Sequence, residues 1–460
     1  MRHLRTKPLL AIGLLGVLAA CSSPSSPQPS STQSPAADPA KPTVQPSAAE
    51  PNTAPAAVAV APPQSSLIPT EPLSPSPIRV TLESLPQPYA TQSASKSPNV
   101  IPVPENPVLQ VPEGFTVNVF ADNLDRPRWL ALTPEGDVLV TETRQNRIQR
   151  LQDSNNDGVA ETETTFADAS NGLNIPFGMA FAQGSFFLGN TDEVRRYSYE
   201  GQALQGRGEQ IATLPGGGYN QHWTRNVIAA PDGERLYVSI GSRSNVNAEP
   251  LPRASVQQLP LDGGGLETVA YGLRNPVGLD IHPVTNELYT TVNERDGIGD
   301  DLVPDYFTRI RTGEFYGWPY AYLTPDRLDP RQTQGDRSRN PELAAQTKTP
   351  DLLFQSHSAA LGLQFYDGST FPERYRNGAF VAFRGSWNRS QGTGYKLVYI
   401  PFGPDNRPLD YYEDFLTGFL VNPAGPDTWG RPVGLLVMPD GSLLVTEEMN
   451  GRIYRIQYGG

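Results

Sequence analysis

The chain has 460 residues, a net charge of −12 and a single cysteine. The single cysteine excludes an intramolecular disulfide. The acidic balance, with no basic block beyond the N-terminal segment, argues against nucleic acid as a partner.

The N-terminus has the features of a secretory signal. Residues 1–21 read MRHLRTKPLLAIGLLGVLAAC, a basic start and an apolar run too short to span a membrane as a mature helix. The ending Leu18-Ala19-Ala20-Cys21 resembles a bacterial lipobox. We predict that Cys21 is lipidated and anchors the protein to a membrane of the cell envelope, facing the periplasm or the exterior. The alternative is an ordinary cleaved signal with an incidental cysteine.

Residues 22–105 are predicted to form a disordered linker rich in Pro, Ser and Ala. The stretch SSPSSPQPSSTQSP is typical of it. Such a segment has too little apolar surface to offset the entropy of ordering it. Residues 106–460 exceed a typical single domain in length but suit one large all-β fold.

A strand–turn–strand unit recurs six times in the folded part. Each unit has two runs rich in Val, Leu, Ile, Thr and Tyr, separated by a turn and preceded by polar residues. The units begin at Pro127, Pro176, Thr224, Arg274, Ser358 and Arg431. A shared register supports the repeat, because four residues lie five positions before a turn proline: Trp129, Asn226, Gly278 and Gly434.

Six such units predict an all-β, six-bladed β-propeller. The last strand, GRIYRIQY, is expected to pair with the first folded strand, FTVNVFADN, and to close the ring without an exposed edge. The alternative is a β-sandwich with fortuitous repeats.

A propeller brings the residues before the first strand and after the second strand of each blade to one mouth. The sequence places many polar residues there. Those before the first strand include Arg126, Arg128, His222, Arg225, Arg274, Asn275, His357 and Arg431. Those after the second strand include Glu142, Arg144, Ser242, Arg243, Asn293, Glu294, Arg295, Arg384, Asn388, Glu447 and Glu448. Cations, amides and a neutral base at one mouth suit an anionic planar cofactor beside a polar substrate.

The loop DSNNDG resembles the first half of a calcium-binding loop. Asp153, Asn155 and Asp157 alternate along it, and Gly158 follows. Thr164 stands where such loops carry glutamate at the twelfth position, so a nearby Glu would have to serve with different geometry. The alternative is a hydrophilic hairpin turn.

Longer stretches carry a family resemblance. GLRNPVGLDIHPVTNELYTTVNERDG, EFYGWPYAY and AFVAFRGSWNRSQGTGYKLVYIPF resemble the quinoprotein glucose/sorbosone dehydrogenases, closest to the L-sorbosone dehydrogenase branch. The resemblance covers about residues 110–458. It implies a six-bladed propeller that uses pyrroloquinoline quinone (PQQ) and calcium.

The resemblance also implies catalytic roles. His222 matches the family histidine that takes the proton from the sugar C1 hydroxyl while hydride passes from C1 to PQQ. Arg274 and Asn275 match the pair that contacts the quinone. A guanidinium in that place would stabilise negative charge on the ring as it accepts hydride.

Further cofactor and metal contacts follow from the same resemblance. Arg431 matches an arginine on the cofactor or substrate side, and Arg384 and Asn388 are added as candidate cofactor contacts. Calcium in the family is held by PQQ and by backbone carbonyls of the segment that is Asn293-Glu294-Arg295 here. Oxygen ligands there suit a hard cation.

Three positions depart from the glucose enzymes of the family. Ser242 stands where those enzymes have the carboxylate that orients the catalytic histidine. Glu294-Arg295 replaces their glycine-proline calcium segment. Their PQQ-binding lysine has no clear match, and Arg384 or Arg389 is the candidate substitute. We interpret these differences as divergence of a subfamily, with loss of activity as the alternative.

The predicted function is PQQ- and calcium-dependent oxidation of an aldose or aldehyde sugar. The chain lacks a haem-attachment Cys-x-x-Cys-His motif, so electrons must pass to an external quinone or redox protein. One alternative is a calcium-dependent sugar lactonase using Glu142, Asn293, Glu294 and Glu447. The other is a surface-anchored binding propeller without chemistry, because a fold does not determine a function.

Overall fold

A computed structural model of the chain describes residues 66–217 and 222–459. The predicted signal, the lipidation of Cys21 and the first part of the linker lie outside the described residues. Within these ranges the only α-helix is Pro341–Ala344. No helix among the described residues is long and apolar enough to cross a membrane.

Six sheets form the body of the molecule and confirm the predicted β-propeller; all their strand pairs are antiparallel except that of Glu267–Tyr271 with Glu314–Phe315. In the first three blades, given from the innermost strand outwards, the strands are Leu130–Leu132, Val138–Glu142, Arg147–Gln152 and Thr162–Ala167 (blade 1); Met179–Ala182, Ser185–Gly189, Glu193–Ser198 and Glu209–Thr213 (blade 2); and Val227–Ala229, Arg235–Ile240, Ser255–Pro260, Glu267–Tyr271 and Glu314–Phe315 (blade 3). In the other three they are Pro276–Ile281, Leu288–Val292, Tyr306–Arg309 and Leu352–Leu353 (blade 4); Ala360–Phe365, Ala379–Phe383, Lys396–Ile400 and Glu413–Leu416 (blade 5); and Pro432–Val437, Leu443–Glu447, Arg452–Tyr458, Phe115–Ala121 and Leu67–Ile68 (blade 6).

Shorter elements decorate this ring. The small sheets pair Thr70–Pro72 with Leu109–Val111, Asn99–Val100 with Asp427–Thr428 and Leu420–Asn422, Ala321–Tyr322 with Thr324–Leu328, and Thr333–Gln334 with Arg337–Ser338. The 3-10 turns are Leu82–Ser84, Thr143–Gln145, Ala169–Asn171, Pro330–Gln332 and Glu373–Tyr375.

The ring closes as the sequence predicts. Arg452–Tyr458 pairs antiparallel with Phe115–Ala121, so strands from the two ends of the folded part share blade 6. On the closing strand, Ile453, Tyr454 and Ile456 are fully buried. Because these two strands pair with each other, neither end of the folded part leaves an exposed strand edge there.

The repeat register has a packing reason. A Cβ on Gly278 or Gly434 would lie 2.5 Å or 2.2 Å from a backbone oxygen of the next blade, so only glycine allows the innermost strands to approach this closely. At the equivalent position of blade 3, the Asn226 side chain donates a hydrogen bond to the carbonyl of Val277 on the next blade. The repeated position is therefore where neighbouring blades touch around the channel.

The structure corrects the linker prediction for residues 66–105. This segment lies against the propeller, where Leu67–Ile68 adds a strand to blade 6 and Thr70–Pro72 pairs with Leu109–Val111. Apolar residues spaced singly between its prolines pack against the blades: Ile68, Ile78, Val80, Leu82, Leu85, Ile101 and Val103. The low average hydrophobicity of the segment did not reveal these contacts. The edges of the propeller sheets supply the strand partners that the segment lacks by itself.

Candidate active site

A cavity of about 610 Å³ opens at the mouth, where the first strands begin and the second strands end. This volume is in the range of small-molecule sites. Many of the polar residues predicted to meet at the mouth line it: Arg128, Arg144, His222, Arg274, Asn275, Asn293, Glu294, His357, Arg384 and Asn388.

His222 is held in one tautomer. Its Nδ1 lies 2.8 Å from the carbonyl oxygen of Ser242 and 3.0 Å from Ser242 Oγ. The carbonyl can only accept, and Oγ already donates to the carbonyl of Ser244, so Nδ1 must carry the proton. Nε2 therefore carries the lone pair of the neutral ring. Ser242 holds the histidine where the glucose enzymes of the family are expected to use a carboxylate.

The surroundings keep His222 neutral. Burial, together with the positive charge of Arg274, lowers the pKa of His222 well below its ordinary value. The backbone of His222 has a φ of 54°, in the left-handed region that non-glycine residues seldom adopt. Backbone conformations of this kind concentrate at functional sites.

Arg274 lies beside the segment that the resemblance assigns to calcium. Its Nη1 donates to the carbonyl of Glu294 at 2.6 Å and to that of Asn293 at 3.3 Å. Its Nη2 donates to Asp296 Oδ2 at 2.9 Å and to Asn245 Oδ1 at 3.0 Å. The guanidinium is fixed in orientation on the cavity wall.

Two buried oxygens at the cavity have unused bonding capacity. Asn275 Oδ1 and Glu294 Oε1 have no hydrogen-bond partner within the described part of the chain. Buried polar atoms are normally paired, so these two are exceptions, although neither atom is itself exposed to the cavity. The Glu294 side chain is fully buried and its Oε2 accepts from Arg295, so the Glu294 carboxylate is not exposed to the cavity.

Arg295 does not line the cavity, and a contact of its backbone carbonyl with a metal stays a prediction. Its fully buried guanidinium pairs with Glu294 at 2.9 Å and Asp329 at 3.4 Å, and it donates to the carbonyls of Pro319 and Ala321. A cation held in this way ties two loops together. Its own carbonyl accepts from Val303.

An ion network joins blade 6 to blades 1 and 5. The Glu448 carboxylate pairs with both Arg128 and Arg384. Burial raises the pKa of Glu448, but the two guanidinium groups outweigh it and bring that pKa to about 2. Arg128 and Arg384 line the cavity, so they give its wall a positive face.

Arg431 lies behind this wall. It donates to the carbonyls of Arg384 and Gly385 at 3.2 Å and 3.0 Å and is not among the residues lining the cavity. Burial, with the positive charge of Arg384, lowers the pKa of Arg431 to about 9. The structure thus assigns Arg431 to supporting the segment that carries Arg384, where the sequence analysis expected a direct cofactor contact.

A second histidine occupies the cavity. Asn388 Nδ2 donates to His357 Nδ1 at 3.2 Å and to Asp296 Oδ1 at 2.5 Å. His357 Nε2 then donates to the carbonyl of Gly299 at 3.3 Å. Burial lowers the pKa of His357, which favours the neutral ring.

Sequence reasoning missed several cavity residues, namely Trp223, Asn245, Asp296, Asp305 and Trp387. Asn245 and Asp296 follow second strands, so a wider window on the strand exits would have included them, whereas Trp387 lies between the predicted Arg384 and Asn388. Asp305 precedes the third strand of blade 4 and accepts from the backbone of Glu294 and Ala359. Only the contact between blades 4 and 5 brings it to the cavity.

The predicted calcium loop lies on blade 1, outside the cavity. Carboxylate oxygens of Asp153, Asp157 and Glu161 lie within 4.8 Å of one another. Asn155 Nδ2 donates to Asp157 Oδ2 at 3.0 Å, and the Asp153 carboxylate accepts from backbone amides of the same turn. These contacts are those of a tight turn, and calcium binding here stays a prediction.

The fold and site define a class: a six-bladed β-propeller with a neutral buried histidine among arginines and amides in its central cavity. The chain belongs to the TrAA12-like family, whose sequence profile matches residues 109–304 and 309–459. The predicted resemblance to the quinoprotein sugar dehydrogenases is thereby confirmed.

Named relatives agree with this membership. The chain is 26% identical over 416 residues to a PQQ-dependent pyranose dehydrogenase of Coprinopsis cinerea, a match that covers 76% of the chain and 54% of that enzyme. It is 29% identical over 364 residues to an uncharacterized protein of Borreliella burgdorferi, covering 76% of the chain and 91% of that protein.

Solved structures share the fold. A Trichoderma reesei enzyme of carbohydrate-active family AA12 superposes with a TM-score of 0.67 at 20% identity, covering 79% of this chain and all of that one. The PQQ domain of the Coprinopsis cinerea pyranose dehydrogenase, in its holo form, superposes with a TM-score of 0.61 at 20% identity over 79% of this chain and 100% of the domain.

Proposed function

We propose that this protein is a PQQ- and calcium-dependent dehydrogenase that oxidises an aldose or a related aldehyde sugar. The observation that carries the proposal is the fixed tautomer of His222, which leaves Nε2 unprotonated. His222 lines a cavity whose wall also contains several arginines. Family membership supports the same reaction class. We further propose that Cys21 anchors the enzyme in the cell envelope and that an external quinone or redox protein reoxidises it.

The residues present fit the cofactor. PQQ is a planar anion, and when bound it supplies the acceptor for a hydride. Arg128 and Arg384 would face its carboxylates, while Arg274 and the side-chain amide of Asn275 would contact its polar edge. Calcium would lie near the backbone carbonyls of Asn293 and Glu294, which are oxygen ligands of the kind it prefers.

The chain's own residues divide the work of the reaction. His222 Nε2 accepts the proton of the sugar hydroxyl as the adjacent carbon loses hydride. The Ser242 carbonyl holds Nδ1–H throughout, so the ring receives the proton without turning. Arg274 stabilises the negative charge that develops on the hydride-accepting side of the cavity.

The lactonase alternative gains no support from the site. Glu142 accepts from the backbone of Asp125 and pairs with Arg147, and neither Glu142 nor Glu447 lines the cavity. Glu447 accepts from the backbone amides of Arg431, Met449 and Asn450. These carboxylates serve local structure and do not converge on one ion.

The test uses the purified chain stripped of metal with a chelator. PQQ and calcium are titrated while the quinone absorbance is followed, and a sugar panel is then added with an artificial electron acceptor. We expect calcium-dependent binding and sugar-driven dye reduction. His222→Ala should lower dye reduction by roughly 10²–10⁴-fold while leaving PQQ binding intact.

Arg274→Ala should reduce both PQQ binding and turnover, whereas Arg243→Ala, which changes an exposed mouth arginine outside the cavity, should alter neither. Melting curves confirm that each variant is folded. Full activity in both His222→Ala and Arg274→Ala would reject the mechanism. Absence of PQQ binding by the unmodified chain would reject the redox function and direct the next assay to lactone hydrolysis.

A further inference from the structure

A short segment ahead of the propeller, residues 87–96, contacts two loops of the mouth. We name this segment the N-terminal strap. The first loop, residues 293–301, follows the second strand of blade 4, and the other, residues 384–390, follows the second strand of blade 5. We name them the blade 4 loop and the blade 5 loop.

The strap holds the blade 4 loop through two hydroxyl groups. The backbone amide of Gly299 donates to Ser93 Oγ at 3.0 Å, and that of Asp300 donates to Thr91 Oγ1 at 2.8 Å. The Tyr89 amide donates to the carbonyl of Ile298 at 2.7 Å. Three consecutive loop residues are therefore fixed by a segment about 200 positions earlier in the chain.

The backbone of the blade 4 loop favours glycine where it meets the strap. Gly299 has a φ of +141°, and a Cβ there would lie 3.2 Å from Thr91 Oγ1. The positive φ of Gly299 thus brings the backbone of the blade 4 loop close to Thr91 of the strap.

The strap holds the blade 5 loop from the other side. The Lys96 amide donates to the carbonyl of Trp387 at 2.7 Å, and Lys96 Nζ donates to the carbonyl of Ser390 at 2.9 Å. The two loops also contact each other, because the Ser390 amide donates to Asp300 Oδ1 at 2.7 Å. Strap and loops form one hydrogen-bonded assembly.

These loops carry cavity residues. Asp296 lies on the blade 4 loop, and Trp387 and Asn388 lie on the blade 5 loop. Asp296 accepts from both Arg274 and Asn388, and the carbonyl of Gly299 accepts from His357. A shift of Gly299 or Trp387 would therefore reach the side chains that face a bound ligand.

The family match starts at residue 109, so the strap lies outside the part that this chain shares with the TrAA12-like profile. We propose that Thr91, Ser93 and Lys96 are positioning residues of the active site. By fixing the two loops they set how long the cofactor stays bound and how tightly the sugar is held. This inference rests on the proposed function.

The experiment removes the two hydroxyl acceptors from the full chain. The double variant Thr91→Val/Ser93→Ala keeps the approximate size of both side chains. The conservative double variant Thr91→Ser/Ser93→Thr keeps both hydroxyls. The matched control is Arg79→Ala, which removes an exposed ion pair with Asp410 made by the same N-terminal segment.

Two kinds of readout are needed. Hydrogen exchange on the protein without cofactor reports the amides of residues 296–301 and 384–390, and it needs no PQQ. On the loaded enzyme, PQQ dissociation and the split between KM and kcat report the site. Loss of two hydrogen bonds should speed exchange in both loops and raise the PQQ dissociation rate and the sugar KM roughly tenfold.

A positioning role requires that kcat and the melting temperature stay near those of the unmodified chain, that the conservative variant restores every value, and that Arg79→Ala changes none. Unchanged exchange in the loops would overturn the inference. So would faster exchange with unchanged PQQ dissociation and KM. If the unmodified chain binds no PQQ while exchange still responds to the double variant, the proposed function fails and the strap stands as a brace of the mouth.

Discussion

At the residue scale, the site depends on how one imidazole is held. The carbonyl and the hydroxyl oxygen of Ser242 both lie within hydrogen-bond distance of His222 Nδ1, so an uncharged residue orients the ring. A neutral partner stabilises an imidazolium less than a carboxylate does. Burial beside Arg274 acts in the same direction, because it also disfavours the protonated ring.

This environment predicts an unusual titration. A lowered pKa extends the neutral form towards acid, so in the protein without cofactor His222 should remain neutral at pH 6, where an exposed histidine with a pKa of about 6.5 is mostly protonated. Two-bond proton–nitrogen spectra of the imidazole, assigned with His222→Gln, measure this directly. A midpoint at or above the ordinary value would contradict the electrostatics described for the site.

At the scale of the element, blades 4 and 6 share one way of packing against the next blade. Gly434 approaches the carbonyl of Arg128, while the hydroxyl of Thr446 accepts from the Gly434 amide and donates to that same carbonyl. Gly278 and Thr291 repeat the arrangement towards the carbonyl of Leu361. The strand pattern visible in the sequence is therefore also a pattern of contacts between blades.

Gly434→Ala should destabilise the protein because its Cβ would lie 2.2 Å from the backbone oxygen of Arg128, which cannot move without displacing a strand. We expect a loss of about 1–3 kcal/mol in the free energy of unfolding, measured with urea. Gly265→Ala is the control, since no atom lies within 4 Å of a Cβ there, and it should change stability by less than about 0.5 kcal/mol. Equal effects of the two substitutions would refute this account of the register.

At the scale of the whole molecule, the ring depends on the pairing of its two ends. Ile456, on the closing strand, is fully buried and pairs with Val117. The network of Glu448, Arg128 and Arg384 spans the same junction from the cavity side. Opening the closure would thus disturb both the core and the site.

Ile456→Ala should remove roughly 2–5 kcal/mol of stability through lost burial and the resulting cavity. Because blade 6 contains both ends of the folded part, hydrogen exchange should accelerate in Phe115–Ala121, over 300 positions away in sequence. Gln457→Ala, on the partly exposed face of the same strand, should leave that exchange near its original rate. Acceleration confined to the closing strand would show that the two strands open independently.

The sequence by itself determined the blade repeat, the closing strand and the set of residues at the mouth. These follow from local periodicity and from the order of strands, which fix where each loop emerges. It therefore predicted that His222, Arg274, Asn275 and Arg384 lie at one mouth, and all four line the cavity.

Only the tertiary structure decided which of those residues face the cavity. Arg295 and Arg431 are at the predicted places in the chain, yet neither lines the cavity: Arg295 pairs with Glu294 and Asp329, and Arg431 donates to the carbonyl of Arg384. The ordering of residues 66–105, and with it the strap, was likewise invisible. Its anchors are scattered apolar residues and hydroxyls whose partners lie hundreds of positions away, and such pairings exist only once the blades have assembled.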